Sequence, residues 1–375
     1  MLLKNLIKSI PDSYSKIKVK NLALDSRRVG KGSLFFALSG SKQDGKKFIT
    51  EAKLRGACAI IFEGKLQLKN IGIPTIEVKN IKKVLTHACK KFYREKPKNI
   101  IAVTGTNGKS SVAEFYHQIL SNNKIPVATI GTLGIKSNRI KKLSLTSPDI
   151  ITLHSELSKL KKNKIDNVMI EASSHGLKQG RLLGLKIKIG IFTNFSQDHL
   201  DYHKNMKEYF NSKMILFKKI ISSNGLMITD NDIKEFPLLR KKSKLKKLKI
   251  LLINSIKIPE DKRPNLIGNF QFKNLLMSVI AANQSKLSIK KIFSKLKEIK
   301  NVNGRLELVR TFPNKVKVFV DYAHTPDALD ASLKSLKKNY FENINLVFGC
   351  GGERDKKKRK IMSLIAKKYS NLIFV

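Results

Sequence analysis

Residues Ile101–Ser111 read IAVTGTNGKSS, and no other stretch restricts the fold of this chain as much. The apolar run Ile100–Val103 predicts a buried strand, and a glycine-bearing turn follows it. Lys109-Ser110-Ser111 then opens a segment with apolar residues at helical spacing: Val112, Phe115, Tyr116, Ile119 and Leu120. A strand that enters a glycine loop and leaves it as a helix is the setting in which a phosphate-binding motif has physical content. Gly105 and Gly108 let the backbone bend so that its N–H groups face an anion, and the helix start adds its positive end. Lys109 would neutralise β- and γ-phosphate charge, and the Ser110 hydroxyl could ligate Mg²⁺. Val103 stands where the strict pattern has glycine, so the motif is recognised by its joint rather than by its letters. The alternative is a structural turn that binds nothing.

A chain of 375 residues can bury more than one core, and two or three domains are expected. No run is long and apolar enough to span a bilayer. The opening MLLKNLIKSIPDSY has no signal-peptide core or cleavage site. Cys58, Cys89 and Cys350, odd in number and widely spaced, fit reduced thiols in a cytoplasmic protein and form no metal pattern. The formal charge of +47 raises the question of nucleic acid. Basic runs occur at Arg240–Lys249 and Lys356–Lys360, but lysine fills exposed positions throughout, as an AT-rich genome would produce. No RNA-binding signature or aromatic-interleaved basic stripe accompanies them. Attraction for anionic, phosphate-bearing substrates is the simpler use of this field, and no nucleic-acid partner is expected.

From about Asn99 strands and helices alternate. Apolar runs at Pro126–Ile130, Val168–Ile170, Ile189–Phe192 and Leu226–Ile228 predict strands. Helical spacing covers Ile150–Leu160, Met206–Ile221 and Phe270–Ala282. Such alternation argues for a mostly parallel sheet with helices on both faces. A second series starts near Val316: strand KVKVFV, helix Asp327–Leu336, strand INLVF, helix Arg359–Lys368 and a final strand NLIFV. The first ninety or so residues suggest a separate small α/β unit, with Pro97 marking its end. The expected domains are 1–96, 97–300 and 301–375, the last incomplete.

Polar clusters follow several strands, where open α/β sheets bind ligands. Glu171-Ala172-Ser173-Ser174-His175 could offer a metal carboxylate and hydroxyls for an anion, a polar turn being the alternative. Thr193–His203 packs histidines and carboxylates densely behind Phe192, in a chain with seven histidines in all. Asp321–Pro326 repeats the arrangement after KVKVFV. Lys213, among Met214, Leu216 and Phe217, reads from composition as one more exposed lysine.

Together these segments resemble the Mur ligases, the ATP-dependent amide-forming enzymes of peptidoglycan synthesis. Within that family they are most similar to the MurE type, which adds the third amino acid to UDP-N-acetylmuramoyl-L-alanyl-D-glutamate. The carrying motifs are DSRRVGKGSLFFALSG, VTGTNGKSS, LTSPD, EASSHGLKQGRL, FTNFSQDHLDYH, GNFQFKN, NGRLE, DYAHTPDAL and FGCGGERDKKKR, in family order from residue 25 to 359. The resemblance implies three α/β domains: a small N-terminal UDP-binding domain, a central P-loop ATPase-like domain with a mostly parallel sheet, and a Rossmann-like C-terminal domain.

The resemblance also implies roles. Leu24, Ser26 and Ser41, Lys42 and Gln43 match UDP contacts. Gly105, Thr106, Asn107, Gly108, Lys109, Ser110 and Ser111 match the triphosphate loop. Thr146, Ser147, Ser173, Gln179 and Arg181 match positions that hold the UDP-muramoyl-dipeptide. Ser110, Glu171 and His199 resemble Mg²⁺ ligands, and Lys213 matches a lysine that the family carbamylates, giving a further metal ligand. Lys109, Lys213 and His199 would therefore carry the catalysis. Asn274, Arg305, Asp321 and His324 look like nucleotide contacts, and Arg354 matches the arginine that meets the incoming diamino acid. The implied reaction phosphorylates the D-glutamate side-chain carboxylate with ATP. The amine of the third amino acid then displaces phosphate, and no protein nucleophile takes part.

Family members continue past the strand matched by NLIFV into a D-N-P-containing segment that helps to select the amino acid. The expectation from this chain is nucleotide binding with poor ligation. CGGERDKKKR leans towards meso-diaminopimelate over lysine. A cytoplasmic monomer that does not insert into membranes is expected. The rival readings are a folylpolyglutamate synthase-like ligase, against which the DSR and CGGERD segments argue, and a non-catalytic nucleotide-binding remnant. A basic nucleic-acid-binding ATPase is a third, separable by the steep salt dependence of phosphate-backbone binding.

Overall fold

The apolar strand ahead of the glycine loop lies at the middle of a seven-stranded sheet. The structure is a computed structural model that describes residues 1–40, 43–66, 71–132, 134–137, 148–340, 343–351, 355 and 357–375. Its contacts divide into two units. The first comprises 1–97, 148–163 and 180–185; the second comprises 98–147, 164–179 and 186–375.

In the first unit, β1 (Asn21–Ala23), β2 (Ser33–Phe36), β3 (Ala57–Phe62) and β4 (Thr75–Glu77) form a parallel sheet in that order. Helices α1 (Ile49–Leu54) and α2 (Ile81–Phe92) accompany it. Alternation along β2 sends Leu34 and Phe36 into a core with Leu3, Ile61 and Leu85, and Phe35 into another with Ile49 and Ile60. Asn80 caps α2 by accepting the Lys83 N–H at 2.8 Å. Ile150 and Ile151 complete the first core, which is why a segment 50 residues downstream of Pro97 belongs to this unit.

The second unit opens with β5 (Asn99–Thr104) and α3 (Lys109–Asn122), followed by β6 (Val127–Gly131) and β7 (Gly134–Ser137). Helix α4 (Ile150–Lys162) returns to the first unit. The chain then runs through β8 (Asn167–Glu171), α5 (Ser174–Lys178), β9 (Ile187–Phe192), α6 (Met206–Ile215) and β10 (Ile221–Thr229). It continues through α7 (Phe236–Lys244), β11 (Lys249–Leu252), α8 (Asn269–Gln284) and α9 (Ile289–Ser294). The sheet order is β11-β10-β9-β5-β8-β6-β7, parallel except for the β6–β7 pair. Ile101 and Val103 on β5 meet Val112 and Tyr116 of α3 and Leu275 and Val279 of α8 in one core. Each such side chain contributes roughly 1.5–3 kcal/mol on burial.

The helix expected over Met206–Ile221 ends at Ile215. A π-turn, Leu216–Ile220, follows it, and Ile221 already pairs with Ile187 in the sheet. The chain thus stays helical to Ile220, and cross-strand pairing takes over only at Ile221.

The remaining segment forms an antiparallel pair, β12 (Glu307–Thr311) with β13 (Lys317–Val320), and a parallel pair, β14 (Asn345–Val347) with β15 (Leu372–Phe374). Helices α10 (Pro326–Tyr340) and α11 (Lys357–Tyr369) share a small core of Leu329, Leu333 and Met362. No helix among the described residues is long and apolar enough to cross a membrane.

Candidate active site

The loop between β5 and α3 is held open by its neighbours. Gly105 has φ +147° and Gly108 has φ +85°, conformations that side chains disfavour. A Cβ on Gly105 would stand 1.9 Å from Thr193 Oγ1, and one on Gly108 would stand 2.5 Å from Asn274 Oδ1. Gly105 also faces the Asn194 backbone at 3.1 Å and so needs glycine for space as well as for dihedral angle, whereas at Gly108 the dihedral angle is the requirement and the Asn274 amide would have to shift. The segment after β9 braces the loop. Asn194 accepts the Thr106 N–H on its carbonyl at 3.0 Å and the Asn107 N–H on Oδ1 at 2.8 Å. Thr193 Oγ1 donates to the Asn107 carbonyl at 2.6 Å, and Thr106 Oγ1 accepts the Ser196 N–H at 3.0 Å. Side chains cap α2, α4 and α6, but none caps α3, which begins directly at Lys109. The first N–H groups of α3 thus form a site suited to an anion.

Two lysines converge on this loop. Lys109 Nζ donates to the carbonyls of Gly105 (2.9 Å) and Thr106 (2.7 Å), and Lys213 Nζ donates to the same Gly105 carbonyl at 2.7 Å. Lys213 is 1% exposed, which corrects its reading as a surface lysine. It rests 4.2 Å above the ring of Tyr209, one helical turn earlier on α6, and Tyr209 Oη meets Thr106 Oγ1 at 3.2 Å. Burial and the neighbouring Lys109 hold the Lys213 amine well below its ordinary range, with Asp198 opposing them. Burial also lowers Lys109, against the pull of Glu171 and Asp198.

Glu171, at the end of β8, accepts Ser110 Oγ at 3.0 Å and Thr132 Oγ1 at 3.2 Å. Arg305 Nη2 reaches the same Ser110 hydroxyl at 3.1 Å and lies over the Tyr322 ring at 4.4 Å. His199 adopts φ +56°, an uncommon conformation for a side-chain-bearing residue. Its Nε2 lies 3.3 Å from Asp198. Burial holds the imidazole down to about 4, with Asp198 pulling the other way, so the ring is neutral at pH 7.

His324 also turns to Asp198, at 3.3 Å, and Lys358 Nζ lies 3.6 Å from that carboxylate while donating to the His324 carbonyl at 2.7 Å. Burial raises the Asp198 carboxyl, but the hydrogen bond from His324 and the nearby cationic groups, Lys358 among them, outweigh it and leave it well below the carboxylate range.

Beside the loop lies a cavity of about 290 Å³ lined in part by Asn107, Gly108, Ser111, Asn274, Arg305 and Asp321. Phe270, Met277 and Tyr322 supply apolar wall, and Asp230 and Lys273 pair at 2.6 Å. His324 does not line it. Burial raises Asp321 and lowers Arg305.

The residues matched to the UDP substrate divide between the units. Leu24, Ser26, Gln43 and Arg181 lie in the first, where Ser26 Oγ donates to Glu51 at 2.7 Å; Ser173 and Gln179 lie in the second, where Ser173 caps α5. Ser41, Lys42, Thr146, Ser147 and Arg354 lie outside the described residues.

Among the described residues no three His, Cys, Asp or Glu side chains are placed to hold a metal ion. The oxygen donors that meet beside the loop are the Glu171 carboxylate and the Ser110 hydroxyl, 3.0 Å apart. Such a pair suits Mg²⁺, which binds through one or two carboxylates together with substrate phosphates, whereas His199 and the unmodified Lys213 offer nitrogen. Sequence reading missed Tyr209, Thr132, Asp230 and Lys273. The i,i+4 spacing of Tyr209 and Lys213 was the available signal for the first, and the others carry none.

Three family models match the chain: "Mur ligase family, catalytic domain" over 18–93, "Mur ligase middle domain" over 103–263, and "Mur ligase, glutamate ligase domain" over 304–375. The UDP-N-acetylmuramoyl-L-alanyl-D-glutamate--2,6-diaminopimelate ligase of Rickettsia montanensis is 36% identical over 96% of this chain and 80% of its own length. A solved structure of a ligase with that name superposes with TM-score 0.76 at 27% identity, covering all of this chain and 81% of the other. Mycobacterium tuberculosis folylpolyglutamate synthase shares the fold at TM-score 0.61 and 16% identity, over 78% of this chain and 76% of its own.

Proposed function

The chain belongs to the Mur ligase family, and from that premise we propose that it is an ATP-dependent amide ligase of peptidoglycan synthesis that joins 2,6-diaminopimelate to UDP-N-acetylmuramoyl-L-alanyl-D-glutamate. The observation that carries the reading is the uncapped start of α3 with Lys109 and the Ser110–Glu171 pair beside the nucleotide-sized cavity.

Adenosine occupies the cavity, with Asp321 and Asn274 available to its polar groups and Phe270 and Met277 to its base. The triphosphate lies over the glycine loop, where the helix N–H groups and Lys109 meet its charge. The D-glutamate side-chain carboxylate attacks the γ-phosphorus and ADP leaves, forming an acyl phosphate. The free amine of diaminopimelate attacks the acyl carbon, the resulting tetrahedral species expels inorganic phosphate, and the nitrogen loses a proton. Two anions must approach in the first step, so Lys109 and Arg305 serve by offsetting their repulsion. Ser110, Glu171, His199 and Lys213, the last as its N-carboxylate, would hold Mg²⁺, which supplies further charge neutralisation when bound. Burial and the neighbouring Lys109 lower the Lys213 amine, which favours the deprotonated form that can capture CO₂.

Ser173, Gln179 and Arg181 are assigned to the UDP-muramoyl-dipeptide, Arg181 to a carboxylate because its fork fits one. Leu24, Ser26 and Gln43 are assigned to the UDP end. The enzyme is proposed to act in the cytoplasm as a monomer on small molecules. The test is ATP-dependent formation of the tripeptide product, read by mass spectrometry, with diaminopimelate, lysine and a folate–glutamate pair offered in parallel. Product from diaminopimelate alone supports the reading, and turnover only with folate and glutamate would replace it.

A further inference from the structure

A buried Ser–His–Ser link lies between the two helices that flank the reaction site, and the mechanism above makes no use of it. His203 is 0% exposed, Ser174 1% and Ser212 4%. His203 Nε2 lies 3.0 Å from Ser174 Oγ, and Nδ1 lies 3.5 Å from Ser212 Oγ. Ser212 Oγ already gives its hydrogen to the Glu208 carbonyl at 2.9 Å. It can therefore only accept from the imidazole, which places the ring proton on Nδ1 and makes Nε2 the acceptor of the Ser174 hydroxyl. A serine paired with histidine suggests a nucleophile, but solvent and substrate cannot reach this one.

The link ends at informative places. Ser174 is the first residue of α5, next to Ser173, and Ser212 precedes Lys213 on α6. The imidazole also backs the Tyr209 ring, with centroids 5.2 Å apart and planes 34° apart. Tyr209 in turn carries Lys213 on its face and Thr106 of the glycine loop on its hydroxyl.

We propose that His203 is a positioning residue for the ligation: by bonding α5 to α6 and supporting Tyr209, it sets where Lys213 stands beside the phosphate-binding loop. The proposal rests on the role given above to Lys213. Ser174 and Ser212 are the two ends of the device, and each should matter less than the ring between them.

The test is a double-mutant cycle in the full chain. His203→Leu removes both hydrogen bonds, while His203→Gln keeps an acceptor within reach of Ser174. His203→Leu is expected to lower kcat on the order of 30-fold, within the roughly 100-fold that a 1 Å misplacement can cost, with KM for ATP and for UDP-muramoyl-dipeptide within about threefold. His203→Gln should recover most of that loss. In a Lys213→Ala background, His203→Leu should lower the residual rate by less than about threefold, since coupled residues are not additive. A second readout is the carbamate carbon signal in ¹³C-bicarbonate, expected in the wild-type chain and diminished in His203→Leu. If His203→Leu does not fold, Ser174→Ala and Ser212→Ala carry the same cycle. Additive losses, or a raised KM at unchanged kcat, overturn the role of His203. Full turnover by Lys213→Ala overturns the reading of Lys213 itself, a separate outcome.

Discussion

Replacing Lys109 by methionine keeps an unbranched side chain one atom shorter and removes its charge and donors. In the structure its ammonium bonds the carbonyls of Gly105 and Thr106. The Gly105 carbonyl keeps its bond from Lys213, so only the Thr106 carbonyl loses a donor, a loss of about 1 kcal/mol in stability. Phosphate binding loses more, because a hydrogen bond between two charged groups is worth about 1.5–3 kcal/mol. That corresponds to an ATP affinity lower by about 10- to 150-fold. Adenosine, which has no phosphate, should bind the variant as it binds the wild type, since Lys109 does not line the neighbouring cavity. Calorimetric titration with ATP and with adenosine, beside a thermal melt, measures both sides of the comparison. ATP affinity within threefold of wild type would refute the assignment of this loop, and an equal loss for adenosine would show that the variant had disturbed the cavity instead.

Other consequences follow from the same geometry. Glu171→Gln should raise the Mg²⁺ concentration that half-saturates turnover by about 10-fold or more, as changes around a metal ligand do; an unmoved magnesium titration would remove Glu171 from the metal site. Arg181→Ala should weaken UDP-muramoyl-dipeptide binding by about 10-fold or more through loss of a charge-assisted pair, with ATP affinity unchanged; equal loss of both ligands would mean its role is misassigned. Burial holds His117 and His154 down to about 4, below the roughly 6.5 of an unfolded chain. Between those values the unfolded state binds more protons, so their contribution to stability is complete above about pH 6.5 and is lost as pH falls towards 4, by up to about 1.4 kcal/mol per pH unit for each. The melting temperature should therefore fall from pH 7 to pH 5, less so in His154→Gln, and a flat profile would contradict the burial of these rings.

Local patterning was enough to locate the strand, glycine turn and helix around Gly105–Ser111, because each depends on nearest neighbours: β-branched residues, glycine at strained angles, and apolar residues at 3.6-residue spacing. The same held for the order of strands and helices and for the polar runs behind β8 and β9, since strand ends in a parallel sheet gather at one edge. Lys213 shows where such reasoning stops. Its neighbours in sequence say nothing of Gly105, 108 residues away, and only the packing of α6 against the glycine loop removes it from water. The attachment of 148–163 and 180–185 to the first unit has the same origin, as Ile150, Ile151 and Leu183 pack into a core whose other members lie before residue 94. His324 likewise reads as one polar residue among several after β13, yet it bonds Asp198 instead of lining the cavity. Composition and spacing act over a few residues, whereas burial and charge pairing are set by whichever distant segments the folded chain brings within about 4 Å.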